Sequence, residues 1–215
     1  MYTNNKALEF IDLGLCDYAT ALEQQRFYHE RCLTNQIKGV ILKTEHPNVI
    51  TLGKNASYKD LLFDKEFYVK QGIEIFETQR GGHITAHMPG QLVVYPILKI
   101  LEFNLFPKTY VQTLEKAVIQ TLEYFGIQAH TIKGNPGVWV NTKKICSIGI
   151  RIAERISMHG LALNVSNSLD LFKLIVPCGM NSVVLTTMSR ELQKNININD
   201  VWDVLKQKFI ELIYH

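Results

Sequence analysis

The sequence predicts an α+β fold, one domain over residues 1–215 with a mostly antiparallel sheet flanked by helices, and three observations point there. Short β-type runs crowd the middle of the chain, separated by turn formers. Helical spacing recurs near the N-terminus, after Pro107 and at the C-terminus. No linker, repeat or low-complexity stretch divides the 215 residues, a length that a single core can serve.

From Tyr18 to Leu33 the residues Tyr18, Leu22, Phe27/Tyr28 and Cys32 share one helical face. Residues 39–44 form a short apolar run between turn formers and read as a strand. Pro47-Asn48 ends it, and Val49–Leu52 resumes extended structure. Residues 73–78 alternate, Arg80-Gly81-Gly82 interrupts them, and Gln91–Leu98 is a further strand with Pro96 towards its end. Val111, Leu114, Val118, Leu122 and Phe125 mark the clearest helix, with Gly126 where a C-terminal glycine belongs. Runs at 127–132, 138–140, 145–152 and 160–165 are β-type, and Asn135-Pro136-Gly137 predicts the turn between the first two. A last helix is expected from about Asp200 as N-cap, with Val201, Leu205, Phe209 and Leu212 on one face.

Hydrophobic residues make up 47% and charged residues 20%, the balance of a folded globule. The net charge of +3, from 23 basic and 20 acidic side chains, is too mild for a nucleic-acid binder. No run has the 18 or so apolar residues that span a bilayer, and the first residues show no signal-peptide pattern. Neither nucleic acid nor membrane is an expected partner. Cys16, Cys32, Cys146 and Cys178 show no paired spacing and read as free thiols, which suits the cytoplasm.

Two features carry candidate chemistry. The first is the glycine-rich segment at 80–91, whose bared amides suit close approach to a ligand or a plain hairpin turn. It has neither the dinucleotide nor the phosphate-loop pattern. His83 and His87 sit four apart, but in extended chain that is about 13 Å, too far for a shared metal ion without a sharp bend. The second is Pro177-Cys178-Gly179, where a stiff residue before the thiol and a small one after it would expose a nucleophile. A free cysteine is as readily a buried core residue. A nucleophilic thiol also needs a neighbour that favours thiolate, and sequence proximity supplies none at Cys178. Lys144 and His159 are the candidates, and spacing does not choose between them.

Taken in order, five blocks resemble the octanoyl-acyl carrier protein:protein octanoyltransferases of lipoate biosynthesis. They are residues 80–91, Asn135-Pro136-Gly137-Val138-Trp139-Val140, residues 144–151, residues 159–165, and Pro177-Cys178-Gly179. They span about 100 residues, with Lys144 and Cys178 34 positions apart, while the first 70 residues add little. The resemblance implies the fold shared with lipoate and biotin protein ligases, a central mixed sheet flanked by helices. It implies that Cys178 carries the acyl group as a thioester, and that Lys144 lowers the pKa of the thiol and shuttles protons. It further implies that Arg80, Gly81, Gly82, His83, Ile84, Thr85, Ala86 and His87 line the acyl site together with Ser147, Ile148, Gly149, Gly160, Leu161 and Ala162. The implied donor is acyl carrier protein. The implied acceptors are lipoyl domains of 2-oxoacid dehydrogenases or the glycine-cleavage H protein.

Transfer from one thioester to another is nearly isoenergetic, so no cofactor, ATP or metal is expected. Backbone amides at Gly149 or Gly179 are candidates for an oxyanion hole. Cys146, between Ile145 and Ser147-Ile148, is expected to be buried and inert. One departure stands out: the family block reads His-Gly-Pro-Gly-Gln, and here it is His87-Met88-Pro89-Gly90-Gln91. A left-handed Met88 would cost about 1–3 kcal/mol; a Met88 turned inward would narrow the acyl pocket, with Ala86 returning some of the space. Three other readings compete. An ATP-dependent lipoate or biotin ligase would have no use for Cys178, a thiol hydrolase would pair Cys178 with His159, and a non-catalytic lipoyl-domain binder would need neither.

Overall fold

A computed structural model describes residues 8–176 and 183–214. The chain runs β1 (Glu9–Leu15), α1 (Tyr18–Leu33), β2 (Gly39–Glu45), β3 (Val49–Leu52), α2 (Lys65–Lys70), β4 (Glu74–Glu77), β5 (Ile84–His87) and β6 (Gln91–Leu98). It continues through α3 (Pro107–Tyr124), β7 (His130–Ile132), β8 (Asn135–Val140), β9 (Lys143–Ala153) and β10 (Ile156–Asn164), then β11 (Val184–Leu185), α4 (Met188–Leu192) and α5 (Ile198–Tyr214). The main sheet has the order β1-β2-β6-β10-β9-β8-β7, with β11 paired to β9. Only the β1–β2 and β11–β9 pairings in it are parallel. A smaller sheet, β4-β3-β5, stands beside it.

The central strands are apolar on both faces because both are covered. Along β6, Leu92, Val94 and Leu98 join the core built by Leu114, Val118 and Leu122 of α3 and Val201, Leu205 and Phe209 of α5. The alternate residues Val93, Tyr95 and Ile97 pack with Ala21 and Cys32 of α1 and with Val40 and Leu42 of β2. A third cluster fills the small sheet, with Ile50, Tyr68, Ile84, Ala86 and Met88 against Leu169, Leu171 and Phe172.

Proline in a central strand removes a ladder donor, and the fold accommodates Pro96 locally. Ser157 Oγ donates to Pro96 O at 2.7 Å and accepts from Leu98 N at 3.0 Å. Gly160 lies so close that a Cβ would stand 2.1 Å from Val94 O and 2.8 Å from Pro96 Cδ. His159, just before it, takes a left-handed φ of +57°.

Strands β9 and β10 are joined by a two-residue turn, Glu154-Arg155, with Ala153 opposite Ile156 and φ of +51° and +61° at the turn residues. That turn sets the register in which Gly149 faces Gly160, Ile148 faces Leu161 and Ser147 faces Ala162.

Two sequence expectations are corrected. Asn135-Pro136-Gly137 is the start of β8 and not a turn; the chain reverses at Lys133-Gly134, where Ile132 faces Asn135 and Gly134 takes φ +85°. Glycine supplies the positive φ that such a tight hairpin needs. Asp200 lies inside α5, and Asn197 stands at its entry, accepting from Asn199 N through its side chain and from Val201 N through its carbonyl.

Candidate active site

Lys144 reaches its position through a gap left by a glycine. It lies on β9 opposite Trp139, 6% exposed, with Nζ 5.4 Å from the Trp139 ring centroid. Gly137 takes φ +125°, and a Cβ there would stand 2.7 Å from Lys144 Cε and 2.4 Å from Cys146 O. Gly137 N donates to Glu115 Oε1 of α3 at 3.1 Å. The glycine of the Asn-Pro-Gly block therefore makes room for the lysine stem.

The loop before β5 is stitched to two elements. Lys54 N donates to Arg80 O, Asn55 N to Gly82 O and Gly53 N to His83 O, at 3.0–3.2 Å. Gly81 N donates to Ile150 O at 2.8 Å, which lays the loop across β9. Arg80 is buried and its guanidinium donates to both oxygens of Thr51. Gly53 and Gly149 permit this approach: a Cβ at Gly53 would meet Gly82 O at 2.4 Å, and one at Gly149 would meet Gly81 O at 3.0 Å.

Beneath the loop lies a cavity of about 540 Å³. Its lining brings together Lys144, Arg80, Gly81, Gly82, His83, Ile84, Thr85, His87, Ser147, Ile148, Gly149, Gly160, Leu161 and Ala162. Ala86 is the exception. Alternate strand residues face opposite ways, so Ala86 turns into the core of the small sheet while Thr85 and His87 face the cavity. Met88 also turns away; it is 3% exposed, packs in that same core and accepts from Asn167 Nδ2 at 3.1 Å. It is absent from the left-handed residues, and the positive φ in this block belongs to Gly90, at +85°.

Sequence reasoning missed much of the wall. Tyr18, Val93, Tyr95 and Val111 come from α1, β6 and α3, and only the folded chain brings them here. Tyr18 stacks on His87 with ring centroids 6.3 Å apart, and His46 stands 5.6 Å from His87 and bonds Tyr95 Oη at 2.8 Å. Burial holds His87 and His159 down at about 3 and His46 at about 4, so all three imidazoles are neutral. Burial pushes the Tyr18 hydroxyl up to about 12, with Arg80 opposing. The far wall is thus polar but uncharged apart from Arg80.

Pro177, Cys178 and Gly179 lie outside the described residues. The chain on either side is anchored. Val176 N donates to Asp60 O at 2.8 Å. Beyond the segment, Val184 faces Lys143, Leu185 faces Lys144, and Thr186 N donates to Lys144 O at 3.0 Å. His159, the other candidate partner for the thiol, pairs with Ile150. Ile150 and Lys144 are six positions apart on β9, roughly 20 Å at a strand rise, although His159 and Lys144 both line the cavity. Cys146 is fully buried, and burial pushes its thiol up to about 12. Among the described residues no cluster of three or more metal-ligating side chains occurs, and no helix is long and apolar enough to cross a membrane.

Comparison with known proteins agrees with this architecture. The family model described as the lipoyl protein ligase A/B catalytic domain matches residues 17–210. The octanoyltransferase of Maridesulfovibrio salexigens is 38% identical over 202 residues, covering 94% of both chains. That of Nitratidesulfovibrio vulgaris is 39% identical over 206 residues, covering 95% of this chain and 94% of the relative. Among solved structures, a bi-partite lipoate protein ligase described with its E2 lipoyl domain, from Thermoplasma acidophilum, superposes with a TM-score of 0.72 over 96% of this chain and 84% of that one. At 15% identity that likeness shows the fold. The chain therefore belongs to the lipoyl protein ligase A/B catalytic-domain family and, within it, to the octanoyltransferases, which are acyltransferases.

Proposed function

We propose that this acyltransferase moves an octanoyl group from acyl carrier protein to a lysine of a lipoyl domain or of the glycine-cleavage H protein, through a thioester on Cys178 assisted by Lys144. The observation that carries the reading is the convergence at Lys144. One cavity runs from the 80–87 loop over the facing pairs of β9 and β10, Lys144 is part of its wall, and the chain beyond residue 182 is registered on that lysine.

In the first step Lys144 takes the proton of Cys178, the thiolate attacks the donor carbonyl and a C–S bond forms; the donor's own C–S bond breaks, and the carrier thiolate leaves with the proton returned by Lys144. In the second the acceptor amine attacks the enzyme thioester, a C–N bond forms, and the C–S bond to Cys178 breaks. The proton lost by the amine passes to Lys144 or to the departing thiolate. Neither step consumes ATP, which separates this reading from ligase chemistry. The reaction needs a reduced thiol, which suits the cytoplasm.

The test is intact mass after brief exposure to octanoyl-acyl carrier protein, without acceptor, for wild type, Cys178→Ser and Cys146→Ser. A hydroxylamine-labile octanoyl adduct on wild type and Cys146→Ser alone is the expected result. No adduct on any of them, with labelling by free octanoate and ATP instead, would establish a ligase.

A further inference from the structure

We propose that Asn164 is a positioning residue: through Thr186 it holds the chain that follows residue 182 in register with Lys144, and so sets how the thiol and the lysine meet. This deepens the reading above and rests on it. Three buried polar side chains and the Thr186 backbone form one line from the cavity to the Lys144 carbonyl. His87 Nδ1 bonds Gln91 Oε1 at 2.8 Å, and Gln91 Nε2 donates to Asn164 Oδ1 at 2.9 Å. Asn164 Nδ2 donates to Thr186 O at 3.1 Å, and Thr186 N donates to Lys144 O at 3.0 Å. Gln91, Asn164 and Thr186 are at most 4% exposed.

The direction of this line is fixed by chemistry. Thr186 O accepts only, so Nδ2 must be the Asn164 atom that meets it, and Oδ1 must face Gln91. Ala86 O, also an acceptor, takes a second bond from Gln91 Nε2 at 3.3 Å. Gln91 Oε1 then faces His87, which must donate from Nδ1. A network satisfied in only one sense rigidifies what it holds. Thr186 is gripped from the other side as well: its hydroxyl donates to Glu191 Oε1, which also takes Lys143 Nζ at 3.0 Å. Thr186 stands eight residues beyond Cys178. None of these side chains except His87 reaches the cavity, so their effect on transfer must pass through Thr186 and Lys144.

The experiment reads the Cys178 thiol directly, in a Cys16→Ser background that removes the half-exposed thiol. The pH midpoint of iodoacetamide alkylation and the single-turnover rate of octanoyl transfer are compared for the parent, Lys144→Met, Asn164→Asp and Glu191→Gln. Asn164→Asp keeps the acceptor for Gln91 and sets a carboxylate against Thr186 O. Its midpoint should rise towards that of Lys144→Met and its acylation rate should fall about tenfold or more, with an unchanged circular dichroism spectrum. Glu191→Gln loosens Thr186 from the opposite side, stays readable if Asn164→Asp does not fold, and should shift the midpoint the same way. A folded Asn164→Asp or Glu191→Gln with the parent's midpoint and rate overturns the positioning role alone. A Lys144→Met protein with the parent's midpoint overturns the Cys178–Lys144 reading itself, and this proposal with it.

Discussion

Gly137 and the stem of Lys144 fill adjoining space on β8 and β9, so closely that a Cβ on the glycine would lie 2.7 Å from Lys144 Cε. Gly137→Ala should therefore strike stability and transfer together. A left-handed, crowded alanine should cost about 1–3 kcal/mol in urea unfolding. The acylation rate should fall towards that of Lys144→Ala. In the double variant the stability cost should shrink without vanishing, because Cys146 O at 2.4 Å remains. An alanine variant as fast and as stable as wild type would show that the lysine takes another path.

The three buried imidazoles give stability a defined pH dependence. Their folded pKa values, about 3 for His87 and His159 and about 4 for His46, lie below the ordinary histidine value. Above pH 6.5 or so both states are neutral and nothing changes. As pH falls below that, the unfolded chain takes up protons that the folded one refuses, and stability drops by about 1.4 kcal/mol per pH unit for each histidine. The loss should run from about pH 6.5 down to about pH 4 for His46 and about pH 3 for His87 and His159. Urea unfolding at several pH values should show it, and His46→Gln should flatten the slope by about one proton. An unaltered slope would mean that His46 is protonated in the fold.

Thiol reactivity should follow burial. Native protein treated with iodoacetamide near pH 8 and mapped by peptide mass should be labelled at Cys178 and, more slowly, at Cys16. Cys146 and Cys32 should stay unmodified until the chain unfolds, since burial pushes them up to about 12 and about 11. Rapid native labelling of Cys146 would make it a rival nucleophile.

Met88→Gly restores the family's residue and separates two roles. Met88 packs in the small-sheet core and does not line the cavity. The change should cost about 2–5 kcal/mol of stability, as other core truncations do. Competition between octanoyl and decanoyl donors should give the same preference as wild type. A changed preference would put Met88 in contact with the acyl chain.

Periodicity was a good guide where one physical signal dominated. The helix at Tyr18–Leu33 and the strand at Gln91–Leu98 match their expected bounds, because a regular apolar pattern marks each. The first strand, Glu9–Leu15, was not anticipated: a mixed, half-exposed edge strand carries no strong alternation. Asn-Pro-Gly at 135–137 looked like a turn because the same residues suit one, whereas here the glycine serves Lys144. At the site, several short blocks run along the cavity wall, yet Tyr18 and Tyr95 could not be read from them. Their place depends on α1 and β6 meeting over the sheet, a long-range fact no local motif encodes.

The Glu154-Arg155 turn constrains how sequences of this shape can diverge. Both residues sit in left-handed backbone that favours Asn-Gly, so a change to Asn-Gly is stabilising while β-branched residues are strained. Length is another matter. An inserted residue that slid β10 along β9 by a single position would exchange the faces of Leu161 and Ala162, unmaking the cavity floor at a distance. Drift at this hairpin is therefore narrow in residue type and closed in number.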